Sequence, residues 1–267
     1  MSHIQKILER AERDGSIRPS AFATVPDFPR DVAVATVPDP VPPVVPLDVP
    51  APPARRVVSG RLRPTLAAAL QPGSAGAEQY RSLRTRIQQL AHGRNLSALL
   101  ITSPAGGEGR THTAANLALS MTQEADRRVC VVDANLRGAQ LRHLFGLPDG
   151  PDLGDVLADR ARLDEALVHL EDYNLTVLPG DDATTHSELL GSTAMRRVMQ
   201  ALRAQFDRIV IDAPAALPVA DVALLTPLVD ALVLVVRAGV TTKPSIHEAI
   251  ASINSDKLLG VVLNDAR

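Results

Sequence analysis

Along this 267-residue chain the apolar positions follow two rhythms, and the switches between them predict its elements. The runs "LSALLITS", "RVCVVDA", "LTVLPG", "DRIVIDAP", "DALVLVVRAG" and "KLLGVVLN" are short and β-rich, and turn or polar residues bound most of them. Between most of them lie stretches with helical spacing: "THTAANLALSMTQEA", "TAMRRVMQALRAQF" and "TTKPSIHEAIASIN". One more such stretch, "AGAEQYRSLRTRIQQLAHG", precedes the first run, and Tyr80, Leu83, Ile87 and Leu90 form its apolar stripe. Strand–helix alternation of this kind predicts an α/β fold, a mainly parallel, doubly wound sheet with helices on both faces. Ligands in such folds bind beyond the carboxyl ends of the strands, so the polar residues there are the ones that matter.

Before residue 65 the rhythm is different. Residues 1–15 read as a short amphipathic helix, with Ile4, Ile7, Leu8 and Ala11 on one face and Gly15 to end it. Its spacing suits packing on its own domain and docking to a partner equally well. Residues 16–64 include "PDFPRDVAVATVPDPVPPVVPLDVPAPPARR", with roughly half of the 21 prolines. Such a segment cannot form helix or central strand and is expected to be a disordered spacer. The expected organisation is a helix over 1–15, a Pro-rich linker over 16–64 and one α/β domain over 65–267.

Composition narrows the classes. Hydrophobic residues make up 45% and aromatics only 2%, so the core must be aliphatic. A formal net charge of −2 argues against nucleic-acid binding driven by bulk charge, and no nucleic-acid partner is expected. Cys130 is the single cysteine; it sits in an apolar strand, suits a reducing cytosol and reads as a buried small hydrophobe. The opening "MSHIQKILERAERDG" has no apolar core of a signal peptide. "LVDALVLVVRAG" is interrupted by Asp230 and Arg237 and is too short to span a bilayer. A cytoplasmic protein is expected.

The chemistry concentrates in "TSPAGGEGRTHTAANLA", Thr102 to Ala118. A strand, a glycine-rich loop and a helix follow one another there, as a phosphate-binding loop of the P-loop NTPase type requires. Gly106, Gly107 and Gly109 let backbone N–H groups around Glu108 converge on an anion, and the helix N-terminus adds partial positive charge. Arg110 stands where such loops carry lysine. Thr111 sits where a hydroxyl would ligate Mg²⁺, and His112 follows beside the phosphate helix. Two other apolar strands end in acids, Asp133 in "VVDANLR" and Asp212 in "IVIDAP", each placed to hold Mg²⁺. Either Asp alone could cap a turn; two such ends beside a glycine loop make the metal reading stronger. The other histidines have no metal-ligand spacing.

From Glu78 onward the blocks "EQYRSLRTRIQ", the glycine loop, "VCVVDANLRGAQLRHLFGL", "LTVLPG…SELL", "FDRIVIDAPAALPVADVALL", "VVRAGVTTK" and "LLGVVLN" follow in order. Together they resemble the bacterial tyrosine kinases of capsule and exopolysaccharide biosynthesis. The resemblance implies ATP and Mg²⁺ as cofactors, with Arg110, Asp133 and Asp212 in catalytic positions and Asp133 and Asp212 in Walker-type motifs serving the metal. It implies that Glu78, Arg81 and Arg84, matching E-x-x-R-x-x-R, join neighbouring subunits of a homo-oligomer; by spacing alone they would be a solvated helix face. It implies that Asn264 reads the adenine. It also implies a membrane chain-length regulator of polysaccharide export as partner, with the protein held peripherally at the inner face of the plasma membrane.

Three departures from the family bear on activity. Arg110 keeps a positive charge but replaces a compact ammonium with a planar fork. Asn135 replaces the second Asp of D-x-D and can neither accept a proton at neutral pH nor add negative charge to a metal. "LNDAR" has no tyrosine cluster; Tyr80 and Tyr173 are the only tyrosines, Tyr80 expected to be packed and Tyr173 in the loop before a strand. The expectation is an ATP-binding, tyrosine-kinase-like regulator of polysaccharide polymerisation and export with weak or lost phosphotransfer. The alternatives are an active tyrosine kinase acting in trans and a partition or division-site ATPase. For the last, Ala105 stands where its signature lysine would be.

Overall fold

The structure, a computed structural model, describes residues 56–58, 61–91, 96–180, 184–217, 221–253 and 255–265. The helix expected over 1–15 and most of the spacer expected over 16–64 lie outside the described residues. Among the described residues eight strands form one sheet: β1 Arg56–Val58, β2 Ala98–Thr102, β3 Val129–Asp133, β4 Val168–Leu170, β5 Leu175–Leu178, β6 Arg208–Asp212, β7 Ala231–Arg237 and β8 Leu258–Asn264. Their order is β1-β4-β5-β3-β6-β2-β7-β8. Every neighbouring pair is parallel except β4 and β5.

The helices are α1 Ala67–Leu70, α2 Ala75–Leu90, α3 Arg110–Met121, α4 Leu141–Phe145, α5 Leu153–Leu157, α6 Leu163–Ala166, α7 Thr193–Gln205, α8 Asp221–Leu225 and α9 Lys243–Ser252. They cover both faces, as the period-two alternation of the strands demands. On β2, Ala98 and Leu100 join one buried cluster with Leu202 of α7 and Ile246 of α9. Leu99 and Ile101 point the other way, into a cluster with Leu117 of α3 and Ile87 of α2. β3 and β6 alternate in the same manner, and aliphatic side chains dominate both layers. Cys130 lies buried within β3 and Tyr80 packs on the second cluster, both as expected. Among the described residues no helix is long and apolar enough to cross a membrane.

One boundary differs from the expected division at residue 65. The proline run ends at Pro53, which leaves "RVV" with N–H groups able to pair, and Arg56–Val58 docks at the sheet edge on β4 in register Arg56↔Val168. The backbone N–H of Arg63 then donates to the carbonyl of Leu144 at 2.9 Å. The folded part therefore starts inside the stretch read as spacer.

Insertion of β6 between β3 and β2 positions the site. It brings the carboxyl ends of three strands side by side, the phosphate loop leaving the first of them and an acid closing each of the other two.

Candidate functional site

The loop after β2 turns through Gly107 (φ 79°) and Gly109 (φ 93°), left-handed conformations that a side chain would strain. Gly109 is the N-cap of α3, and no side chain caps this end. The first N–H groups of a twelve-residue helix are thus left open to an anion. A Cβ on Gly109 would lie 2.1 Å from Asn264 Nδ2, so only glycine fits.

The loop is braced from behind. Buried Glu108 accepts from the Ala105 N–H (3.0 Å) with one carboxylate oxygen and from the Thr241 hydroxyl (2.5 Å) with the other. Its carbonyl accepts from Asn264 Nδ2 at 3.0 Å, which places Asn264, at the end of β8, against the loop. Together these bonds tie the loop to the ends of β7 and β8. A pocket of about 240 Å³ opens in front, lined by Gly107, Glu108, Gly109, Arg110, Thr111, His112, Asn135 and Gln140.

Asp133 and Asp212 face each other across paired strands, their Cα positions in register, and both are fully buried. Asp133 accepts from the backbone N–H groups of Gln140 (2.9 Å), Leu141 (2.9 Å) and Asn135 (3.2 Å). Neither oxygen of Asp212 has a partner of good hydrogen-bond geometry, although the Thr111 hydroxyl is close enough to favour its charged form. Burial pushes Asp133 up to about 6. Burial and the neighbouring Asp133 push Asp212 up to about 8. The pair therefore shares a proton near neutrality. An orphaned buried carboxylate, a second acid and a threonine hydroxyl at an anion-binding loop form a donor set that fits Mg²⁺.

The raised values fix a sign. As pH climbs from 3.8 towards about 8, the unfolded chain releases protons that the folded pair still holds. Stability contributed by this pair is therefore present at low pH and lost as pH rises. Thermal melts without Mg²⁺ should show this slope over that window, and the Asp212→Asn variant should flatten it.

Arg110 reaches back along the loop, its guanidinium donating to Ser103 Oγ at 3.3 Å. Burial lowers its pKa, and Asp212, Glu108 and Asp133 partly offset that effect. The fork thus lies in the field of the acids that would hold the metal. His112 lines the pocket, and burial lowers its pKa, so its imidazole is neutral at pH 7.

Asn135 has a structural role that an Asp could not fill. Its Nδ2 donates to the Gly138 carbonyl at 2.8 Å, closing the turn after β3. A carboxylate there would face that carbonyl and add negative charge beside the Asp133–Asp212 pair. Asn135→Asp should cost about 1–3 kcal/mol of stability, read by urea unfolding. A cost near zero would mean the turn does not depend on that donor.

The residues expected at a subunit interface separate. Glu78 and Arg81 pair with each other on the open face of α2. Arg84 turns inward, donating to the Ser120 carbonyl and lying 4.0 Å from Glu124, so it clamps α2 onto the end of α3. Sequence reading did not single out Ser103, Thr241 or the 3.0 Å Arg137–Asp221 pair, which ties the turn after β3 to α8. Arg137 lies four residues after Asp133 in "DANLR", the spacing that could have drawn attention to it.

An open glycine loop on a mainly parallel sheet, facing two buried acids on adjoining strands, is the arrangement of the P-loop NTPase fold class. Residues 98–255 match the family described as the AAA domain. The chain is 33% identical over 214 residues to tyrosine-protein kinase YwqD of Bacillus subtilis, covering 79% of this chain and 90% of that one. It belongs to the bacterial tyrosine-protein kinases.

It is also 30% identical over 200 residues to the succinoglycan biosynthesis transport protein ExoP of Rhizobium meliloti, covering 72% of this chain. It spans only 25% of that protein, and a similar share of other long relatives. Among solved structures, the chimerical protein CapA2B2 superposes with a TM-score of 0.71 at 28% identity, over 80% of this chain and 94% of that one. The septum site-determining protein MinD of Pyrococcus horikoshii, complexed with Mg-ADP, gives 0.51 at 28% identity, over 62% and 69%.

Proposed function

We propose that this protein binds Mg-ATP and acts as a tyrosine-kinase-like regulator of exopolysaccharide or capsule polymerisation and export, with weak phosphotransfer. In this reading it works as a homo-oligomer in the cytoplasm, held at the inner face of the membrane by a chain-length regulator. The observation that carries it is the buried, unpartnered Asp212 carboxylate beside Asp133 at the mouth of the open loop. Thr111, Asp212 and Asp133 would hold the metal, and Gly107 to Thr111 would cradle the phosphates. The metal, when bound, neutralises charge on the phosphate oxygens. The ties of Glu108 to Ala105 and Thr241 keep the loop amides aimed without cost at the moment of binding.

Weak transfer is supported by two residues. Asn135 spends its amide on Gly138 and cannot accept a proton from a tyrosine hydroxyl. Arg110 brings charge as a fork where the chemistry favours a compact ammonium. Labelled Mg-ATP and tyrosine-bearing peptides test this reading: slow or absent labelling is expected, and rapid labelling would sink the weak-transfer part. One observation favours an active kinase acting in trans, namely that Arg110 is seated on Ser103 among the acids rather than splayed into solvent.

The partition-type alternative has less support, because its structural neighbour superposes less closely than the chimerical protein does.

A further inference from the structure

A second cavity of about 780 Å³ lies apart from the loop, between the segment 61–64 and α4. Arg61, Arg63, Arg142 and His143 line it, and Asp149 is the one carboxylate among its described lining residues. We infer that this cavity binds a phosphorylated small molecule.

The cationic groups sit on fixed backbone. Gly146 ends α4 with φ 61°, and a Cβ there would lie 2.5 Å from the Arg61 carbonyl, so the segment 61–64 packs directly on the helix end. The bond from Arg63 N to Leu144 O locks the same segment two residues on. Arg142 is immobilised by the carbonyls of Pro148 (2.6 Å) and Gly150 (2.8 Å), so it supplies field more than free donors. The Arg63 guanidinium contacts the His143 ring. An oxyanion between Arg61 and Arg63 would take the guanidinium forks in the bidentate manner that phosphate favours.

The rest of the wall argues for more than a bare ion. Leu62, Pro64 and Leu147 give an apolar surface, and the volume falls in the range of roughly 300–1,000 Å³ typical of small-molecule sites. Cationic donors on two neighbouring segments, 61–64 and α4, suit a compact ligand better than an extended acidic peptide. Its floor adjoins the first site. Ala139 lines it, and the next two residues give the N–H groups that hold Asp133. Gly180 lines it too, and a Cβ there would lie 2.7 Å from the Asp133 carbonyl.

The inference stands apart from the nucleotide reading, and its test keeps the two separate. The full chain in Mg-ADP is titrated calorimetrically with glucose 1-phosphate, phenyl phosphate and inorganic phosphate, with glucose as the uncharged control. At least one organic phosphate should bind more tightly than inorganic phosphate, and glucose should not bind. The Arg61→Gln/Arg63→Gln double variant, both side chains being exposed, should keep its fold by circular dichroism and its response to Mg-ADP. It should bind the phosphorylated probe at least about tenfold more weakly. Three outcomes would overturn the inference: no phosphorylated probe binds, the double variant binds it unchanged, or only a glutamate-rich peptide binds in an arginine-dependent way. Loss of the ADP response alone would instead count against the nucleotide reading.

Discussion

Asp212→Asn should remove the Mg²⁺-dependent part of nucleotide binding, weakening Mg-ADP by about 10²-fold or more, while the free protein becomes more stable at pH 8. The two halves come from one observation. In the free protein the carboxylate is fully buried with no partner of good geometry, so ionising it costs stability, and its pKa rises to about 8. Asparagine has the same shape and no charge, so the free protein should gain about 1–3 kcal/mol where Asp212 would otherwise ionise. In the proposed site Asp212 would be a direct ligand, and its removal should cost more than the 10–100-fold typical of a residue that merely supports one. A variant that is less stable at pH 8 and still binds Mg-ADP normally would show that Asp212 is a packing residue.

Arg110→Lys should raise phosphotransfer to a tyrosine peptide by up to about 10²-fold while changing ADP affinity little. Both side chains carry the charge that attracts the β-phosphate, so binding depends weakly on the choice. Transfer depends on where the charge sits. The guanidinium leans on Ser103 Oγ, whereas an ammonium on a flexible stem would be free to follow the transferring group. Asn135 caps the gain, since no carboxylate at that position can take the tyrosine proton. Unchanged transfer would favour a site built around arginine. A fall would show that the Ser103 contact positions the phosphate.

Much of this fold is written in its periodicities. Six strands and four long helices follow from apolar spacing, because a strand buried on both faces must read as a continuous apolar run. β1 and β4 escaped because three residues carry too little pattern, and because "VHL" gains its place from pairing with β5 rather than from its own composition. Tertiary pairing, not local propensity, makes both of them.

The site divides along the same line. Gly107, Gly109, Thr111, Asp133 and Asp212 stand out in the sequence because a phosphate and metal site would depend on residue type at strand ends and helix starts. Bracing was not legible. Glu108 reads as part of a nucleotide loop, yet its carboxylate is spent on Ala105 and on Thr241, which lies 133 residues away in the chain. Arg84 shares a helix motif with Glu78 and Arg81 but turns to the end of α3, an orientation that spacing cannot reveal. Asn135 looked like a loss, and the structure adds that its amide closes a turn.

The most direct measurement is calorimetric titration of the intact chain with ADP at pH 7, with and without Mg²⁺, in two buffers of different ionisation enthalpy. The expected result is binding that tightens with Mg²⁺ and releases close to one proton, because Asp133 and Asp212 would give up the proton they share on holding the metal. Absence of nucleotide binding, or binding indifferent to Mg²⁺ and without proton release, would contradict the reading of the loop and the two acids as one site.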